Sequence, residues 1–202
     1  MYRLYDALES GNAYKVRLVL HQLGIPFERI EVDFLRGATR TPEFLAMNLN
    51  GRVPVLELAP GKFLAESNAI IWFLAEGTPL VPNDRGLRAE VLQWMFFEQY
   101  NHEPNVATPR FWLHHPELMD SHLRVELGRK QERGRAALAV MERHLSTRRY
   151  FVGDRYSIAD IALYAYSHVA PEGGIELDAY PVVRAWIGRV AAEPRHIPIT
   201  QG

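Results

Sequence analysis

Gly51-Arg52-Val53-Pro54-Val55-Leu56 puts a proline at the entrance of a strand, and Leu64-Ala65-Glu66-Ser67-Asn68-Ala69-Ile70 runs a strand end into a helix start. A proline removes one ladder donor, so it suits an edge strand or a strand entrance. It also pushes the residue before it to an extended conformation, which lets the Val53 N–H and C=O face outward and pair with a peptide-like ligand. Between the two stretches, Val53–Leu58 and Lys62–Leu64 flank Ala59-Pro60-Gly61, the composition of a hairpin turn. Ser67 stands where a helix N-cap belongs, before an apolar helical run reaching about Glu76.

Upstream, Tyr2–Tyr5 reads as a short strand. Val16, Val19, Leu20 and Leu23 mark one apolar helical face, which Gly24 and Pro26 terminate. Ile30, Val32 and Phe34 alternate with Arg29, Glu31 and Asp33, the period of a strand with one buried face. Strand, helix and strand at this spacing make a βαβ unit, and a short helix over Thr41–Met47 leads to the hairpin. The order is βαβ-α-ββ-α around a mixed four-stranded sheet.

Downstream, residues 78–85 are rich in proline and turn formers, and strand signals largely vanish after them. Helical periodicity predicts a long helix from Leu87 beyond Gln99, kinked at Pro104. Further helices are marked by Leu138, Met141 and Leu145, by Ile158, Ile161, Ala162, Ala165 and Val169, and by Val183, Trp186, Ile187 and Val190. The expected organisation is an α/β domain over residues 1–77, a linker over 78–85 and an all-helical domain over 86–202.

Composition narrows the function. The chain has 202 residues, 48% hydrophobic and 23% charged, as expected of a globular protein. A formal net charge of −1 leaves no basic field to recruit nucleic acid or anionic lipid. There is no cysteine, which excludes disulfides, thiolate metal sites and a protein thiol nucleophile. Nothing resembles a signal peptide or a membrane span, and the expected location is the cytoplasm.

Three segments carry chemistry. The Val53-Pro54 entrance offers a backbone edge. The Glu66-Ser67 segment pairs an acid for an ammonium with a helix start whose free N–H groups and positive dipole end suit a carboxylate. Ser10-Gly11-Asn12 joins the first strand to the first helix, where N–H donors and the helix dipole lower the pKa of a nearby thiol. Each segment, taken alone, also has a plainer reading: a strand-initiating proline at Pro54, and an ordinary helix cap at Glu66-Ser67 and at Ser10-Gly11-Asn12.

Together, in this order and spacing, these segments resemble a bacterial glutathione transferase, near the theta-like and nu-like groups. The likeness covers essentially the whole chain and rests on Ser10-Gly11-Asn12 with Lys15-Val16, Pro42-Glu43-Phe44-Leu45, Asn48 through Leu56, Glu66 through Ile70, and Phe151-Val152-Gly153-Asp154 with Ser157-Ile158-Ala159-Asp160. The resemblance implies a thioredoxin-like N-terminal domain, a cis Val53–Pro54 bond, pairing of the Val53 backbone with the cysteinyl part of glutathione, and Glu66 and Ser67 on its γ-glutamyl end. It also implies a homodimer that uses glutathione as co-substrate, with no tightly bound cofactor and no metal. Ser10 and Asn12 are the candidate thiolate donors. Arg52, Arg40 and Thr39 are alternatives for the glycyl carboxylate.

The second substrate is expected to be a small hydrophobic electrophile or a disulfide, with Tyr100, Pro104 and Phe111 as candidate pocket residues. Tyr5 falls within the first strand and reads as core. His114-His115 and His102-Glu103-Pro104 lack metal-ligand spacing. Ser157 to Asp160 has capping-box spacing and a structural role. A rival function is a non-catalytic transferase fold kept for binding or regulation, which has no need of Ser10, Asn12, Glu66 and Ser67 together.

Overall fold

The computed structural model describes residues 1–202. The chain divides into two compact units, Met1–Val81 with Glu193–Gly202, and Pro82–Ala192. The last ten residues thus belong with the first unit, whereas the sequence alone extends the helical domain to residue 202.

The first unit runs β1 (Tyr2–Asp6), α1 (Gly11–Leu23), β2 (Phe27–Glu31), α2 (Pro42–Met47), β3 (Val55–Ala59), β4 (Lys62–Ala65) and α3 (Ser67–Ala75). The sheet order is β2-β1-β3-β4, with β1 parallel to β2 and antiparallel to β3. This is the mixed four-stranded, thioredoxin-like sheet that the sequence predicts. β2 begins and ends earlier than its alternation suggests, because its ladder with β1 pairs Tyr2 with Phe27 and Asp6 with Glu31, where β1 itself ends. Val32 is still buried, and its N–H reaches the Asp6 carbonyl at 2.6 Å.

Side-chain alternation gives the sheet two different faces. Leu4 and Leu56 are register partners and fully buried, while Asp6, on the same face of β1 as Leu4, meets Arg17 of α1. Tyr5 points the other way, into a cluster of Val32, Phe44 and Val55 lined by Phe63 and Met47. Phe44 comes from α2, which Thr41 caps through the Phe44 N–H. The returning C-terminal segment is bound by side chains of α1: the Tyr14 hydroxyl donates to the Ile197 carbonyl at 2.6 Å, and Arg17 Nη2 donates to that of Ile199 at 2.8 Å.

The second unit contains α4 (Arg85–Phe97), α5 (Glu103–His114), α6 (Ser121–Leu145), α7 (Ile158–Ser167) and α8 (Pro181–Ala191). Instead of one helix kinked at Pro104, α4 passes through a π-helical turn at Glu98–His102 into α5. Proline has no N–H and its ring collides with a carbonyl one α-turn back. The wider turn, in which the Glu103 N–H bonds the Glu98 carbonyl, relieves that crowding at the start of α5. Gly134 lets α6 approach α5, since a Cβ there would lie 2.6 Å from the Asn105 carbonyl oxygen.

Asp160 joins three parts of this unit. Its Oδ2 accepts the Ser157 N–H at 3.0 Å, and the Ser157 hydroxyl in turn accepts the Ala159 N–H at 3.3 Å, giving the reciprocal cap of α7. Its Oδ1 accepts Trp186 Nε1 of α8 at 2.9 Å and the Phe151 N–H at 3.2 Å. Burial pushes this carboxyl up to about 6, against the opposing pull of the Trp186, Phe151 and Ser157 donors. A folded-state pKa above the unfolded one means that the folded protein holds the extra proton between them, so Asp160's contribution to stability falls as pH rises from about 4 to 6. Asp160→Asn is expected to destabilise the protein by about 3 kcal/mol at neutral pH, because the amide turns an N–H pole toward buried donors. The pH term is read by urea unfolding at pH 5 and pH 7. Relative to this variant, the native chain is expected to lose about 1 kcal/mol between the two, since one pKa unit corresponds to about 1.4 kcal/mol.

Candidate functional site

The loop between β1 and α1 is set by α1 itself. Arg17 Nη1 meets both Asp6 carboxylate oxygens at 2.7 and 2.6 Å, and Nη2 holds the Leu8 carbonyl at 2.9 Å. The Ser10 N–H closes the turn on the Ala7 carbonyl at 2.9 Å. Ser10 is the N-cap of α1, accepting the Ala13 N–H on Oγ at 3.3 Å, and its own O–H still has a proton to donate.

Asn12, in the first turn, is half-buried and faces the start of α3. The Ser67 hydroxyl donates to Asn12 Oδ1 at 3.3 Å, and Lys15 Nζ donates to the same oxygen at 2.8 Å. The two helix starts are therefore joined by side-chain hydrogen bonds although they lie 55 residues apart. Two positive dipole ends and the N–H groups of two first turns converge at one place.

Ser67 differs from its sequence expectation. The N-cap of α3 is Glu66, not Ser67, which occupies the first helical position with its side chain buried. Glu66 has φ 70°, a left-handed value rare for residues with a side chain. Its carbonyl accepts the Ile70 N–H at 2.9 Å, so the N–H groups of Ser67, Asn68 and Ala69 precede the first turn's ladder. The Glu66 side chain is exposed. The strained backbone thus turns a carboxylate outward beside a helix start, the kind of outlier that clusters at ligand sites.

The Val53–Pro54 peptide bond is cis. Val53 forms no backbone hydrogen bond outside the strands, while Pro54 is buried. The loop before it is braced from within: Asn48 Nδ2 donates to the Arg52 carbonyl at 2.8 Å, and the Asn50 N–H returns to Asn48 Oδ1 at 3.0 Å. Arg40 Nη1 reaches the Asn50 carbonyl at 3.2 Å. Of the three residues considered for the glycyl carboxylate, Arg40 and Arg52 are exposed and Thr39 is buried at 5% exposure.

Tyr5 sits on the α2 side of the sheet. Its hydroxyl is 3.5 Å from Glu57 Oε2, and its ring packs edge-on against Phe63. Burial raises the phenol pKa, and the Glu57 charge adds to this while Arg3 opposes it. A phenol held there is a poorer proton donor than an ordinary tyrosine. In the helical unit, Tyr100 is exposed on the π turn, while Pro104 and Phe111 are half-buried on α5. Phe111 packs on the His115 ring.

A family model described as the glutathione S-transferase N-terminal domain matches residues 1–76, and one described as its C-terminal domain matches residues 116–194. Glutathione S-transferase 3 of Zea mays is 32% identical over 95% of this chain and 90% of its own length. The chain belongs to the glutathione S-transferase family. The crystal structure of a glutathione S-transferase from Pseudomonas fluorescens Pf-5 is 51% identical, superposes with a TM-score of 0.96 and covers 99% of both chains. The disulfide-bond oxidoreductase YfcG of Escherichia coli is 29% identical over 96% of this chain and 92% of its own.

Within this family framework, one more residue stands at the convergence of the helix starts, and its local sequence offers no role for it. Lys15 is fully buried, between Asn12 and Ser67. The available signal was a lysine inside a helix whose neighbours Tyr14, Val16 and Leu18 are all core residues.

Gly51 holds the loop and Arg40 together. It has φ +61°, and a Cβ there would fall 2.4 Å from Arg40 Nη1 and 2.8 Å from the Thr39 carbonyl oxygen. Gly51→Ala is expected to cost about 1–2 kcal/mol, from the positive φ and the displaced guanidinium. Chemical denaturation measures the loss, and an unchanged midpoint would show that the loop adapts freely.

Proposed function

We propose that this family member binds glutathione on its thioredoxin-like unit and delivers the sulfur, as a thiolate, to a small hydrophobic electrophile or a disulfide. The observation that carries this reading is the hydrogen-bonded meeting of the α1 and α3 starts at Asn12 and Ser67. Glutathione has two carboxylates, one ammonium and one thiol. Glu66 takes the ammonium, and the Ser67 N–H with its neighbours at the α3 start takes the γ-glutamyl carboxylate. The Val53 backbone pairs with the cysteinyl part, and Arg40 and Arg52 serve the glycyl carboxylate in preference to the buried Thr39.

Ser10 and Asn12 then face the sulfur. The thiol proton leaves to solvent, and donors on the thiolate lower the cost of that loss. The thiolate attacks an electrophilic carbon, a C–S bond forms, and the leaving group departs with its electron pair. On a disulfide, the same thiolate forms a mixed disulfide and expels the other sulfur as a thiolate. The protein's contribution is position and electrostatics, since the ligand supplies the nucleophile. Glutathione acts as co-substrate, and no step requires a tightly bound cofactor.

The reading includes a homodimer in the cytoplasm. Support for a subunit interface comes from Leu92 and Phe96, one turn apart on α4 and 39% and 71% exposed. No helix is long and apolar enough to cross a membrane. Tyr100, Pro104 and Phe111 remain the proposed contacts for the second substrate.

Glu66→Ala is expected to weaken glutathione binding at least severalfold, because a charge-assisted hydrogen bond contributes about 1.5–3 kcal/mol. Calorimetry on the folded variant checks this, and unchanged affinity removes the assignment.

The thiolate absorbance of bound glutathione against pH tests the sulfur donors. Ser10→Ala and Asn12→Ala are each expected to raise the thiol pKa by about one unit or less, and the double variant by more. Tyr5→Phe leaves it in place, and the opposite pattern would transfer the role to Tyr5. Glutathione-dependent turnover of an aryl halide, a hydroperoxide and a mixed disulfide then separates the reaction classes.

A further inference from the structure

Lys15 lies one turn into α1 with no exposed surface, and its Nζ donates to Asn12 Oδ1 at 2.8 Å and to Ser67 Oγ at 3.4 Å. Burying an ammonium is costly unless its donors are satisfied, and ordinary helix design would place a neutral residue here. The consequence for Asn12 is specific. An ammonium has three donors and no acceptor, so only the oxygen of the Asn12 amide can face it. The Ser67 hydroxyl donates to that same oxygen at 3.3 Å. With two donors on Oδ1, the amide cannot flip without setting N–H against N–H. Its NH2 pole is therefore turned away from Lys15 and Ser67, on a residue that is itself only partly buried.

We propose that Lys15 is a positioning residue for thiolate formation: by holding Oδ1, it fixes the Asn12 amide with its N–H donors toward the glutathione sulfur. This rests on the glutathione reading given above. Lys15 does not touch the sulfur and acts through Asn12. Its positive charge adds to the two helix dipole ends, but the amide orientation is the larger effect, because a flipped amide would present an oxygen to the thiolate in place of two donors.

The test uses the full-length protein, with Lys15→Met removing the charge at similar length and Lys15→Arg keeping a cation. Two ligands are needed. S-Methylglutathione has no thiol to ionise and reports binding alone, whereas glutathione reports the thiol pKa through its thiolate absorbance. Lys15→Met is expected to bind S-methylglutathione within about threefold of the native protein, while raising the bound thiol pKa by about one unit, a tenfold loss of thiolate at fixed pH. In an Asn12→Ala background the same substitution is expected to shift the pKa much less, because the amide it orients is gone. Lys15→Arg is expected to retain most of the native thiol pKa, and it keeps the proposal open to test if the Met variant does not fold.

An unchanged thiol pKa in Lys15→Met overturns the proposal. So does an equal shift in the Asn12→Ala background, or a loss of S-methylglutathione binding as large as the loss of thiolate, which would make Lys15 part of the ligand-holding set. Failure of the native protein to bind S-methylglutathione would instead reject the glutathione reading itself, and the two failures are thereby distinguished.

Discussion

The buried contact between Arg17 and Asp6 governs the first unit. Both side chains have no exposed surface, and Arg17 Nη1 contacts both carboxylate oxygens. Taking two charges out of water costs about as much as their attraction returns, so the pair adds little net stability. Its value lies in geometry. One guanidinium ties the end of β1 to α1, holds the Leu8 carbonyl of the loop between them, and reaches the Ile199 carbonyl of the returning C-terminal segment. Arg29 of β2 joins the same carboxylate at 2.9 Å. Loss of Asp6 leaves the Arg17 guanidinium as an uncompensated buried charge, a penalty of about 3–5 kcal/mol, and loosens the loop that presents Ser10, whereas loss of Arg17 leaves Asp6 with Arg29 alone.

The proposed glutathione site inherits that fixed loop. Most of its groups are backbone features: the N–H groups of two helix starts and the strand entrance at Val53. Backbone donors on rigid elements are already oriented, so stabilising a developing charge requires little rearrangement. In that proposal side chains add sign and selectivity at the edges, from the exposed Glu66 carboxylate on one side and the exposed Arg40 and Arg52 guanidinium groups near the Val53 loop. The left-handed backbone at Glu66 is the local cost of this arrangement.

The helical unit is organised on similar terms by a different buried acid. Asp160 connects the α7 start, the α8 indole of Trp186 and the Phe151 backbone. Trp186 and Phe151 pack edge-to-face at 5.2 Å, so the polar contacts and the aromatic core fix one another. Each unit therefore sets its geometry with one buried carboxylate. In the first the partner is a cation; in the second the partners are neutral donors, whose pull on the Asp160 pKa does not offset the rise that burial causes.

The amino-acid sequence alone determined the element order, the hairpin, a cap within Ser10-Gly11-Asn12 and the reciprocal cap at Ser157 and Asp160. These depend on periodicity and on residues within four positions of each other, which a linear reading captures. It also brought Ser10, Asn12, Glu66 and Ser67 forward as a set, through the chemistry each local segment can offer. The shift of the α3 cap from Ser67 to Glu66 was not legible, because a positive φ on a glutamate runs against local preference and persists only where the surrounding fold imposes it. The π turn before Pro104 was hidden for a related reason: a proline signals disruption but not the form it takes. Only the tertiary structure brought Asn12 to Ser67, buried Lys15 between them, and returned residues 193–202 to α1. Those contacts join positions dozens to nearly two hundred residues apart, and a buried charge acquires its meaning from partners that no local pattern encodes.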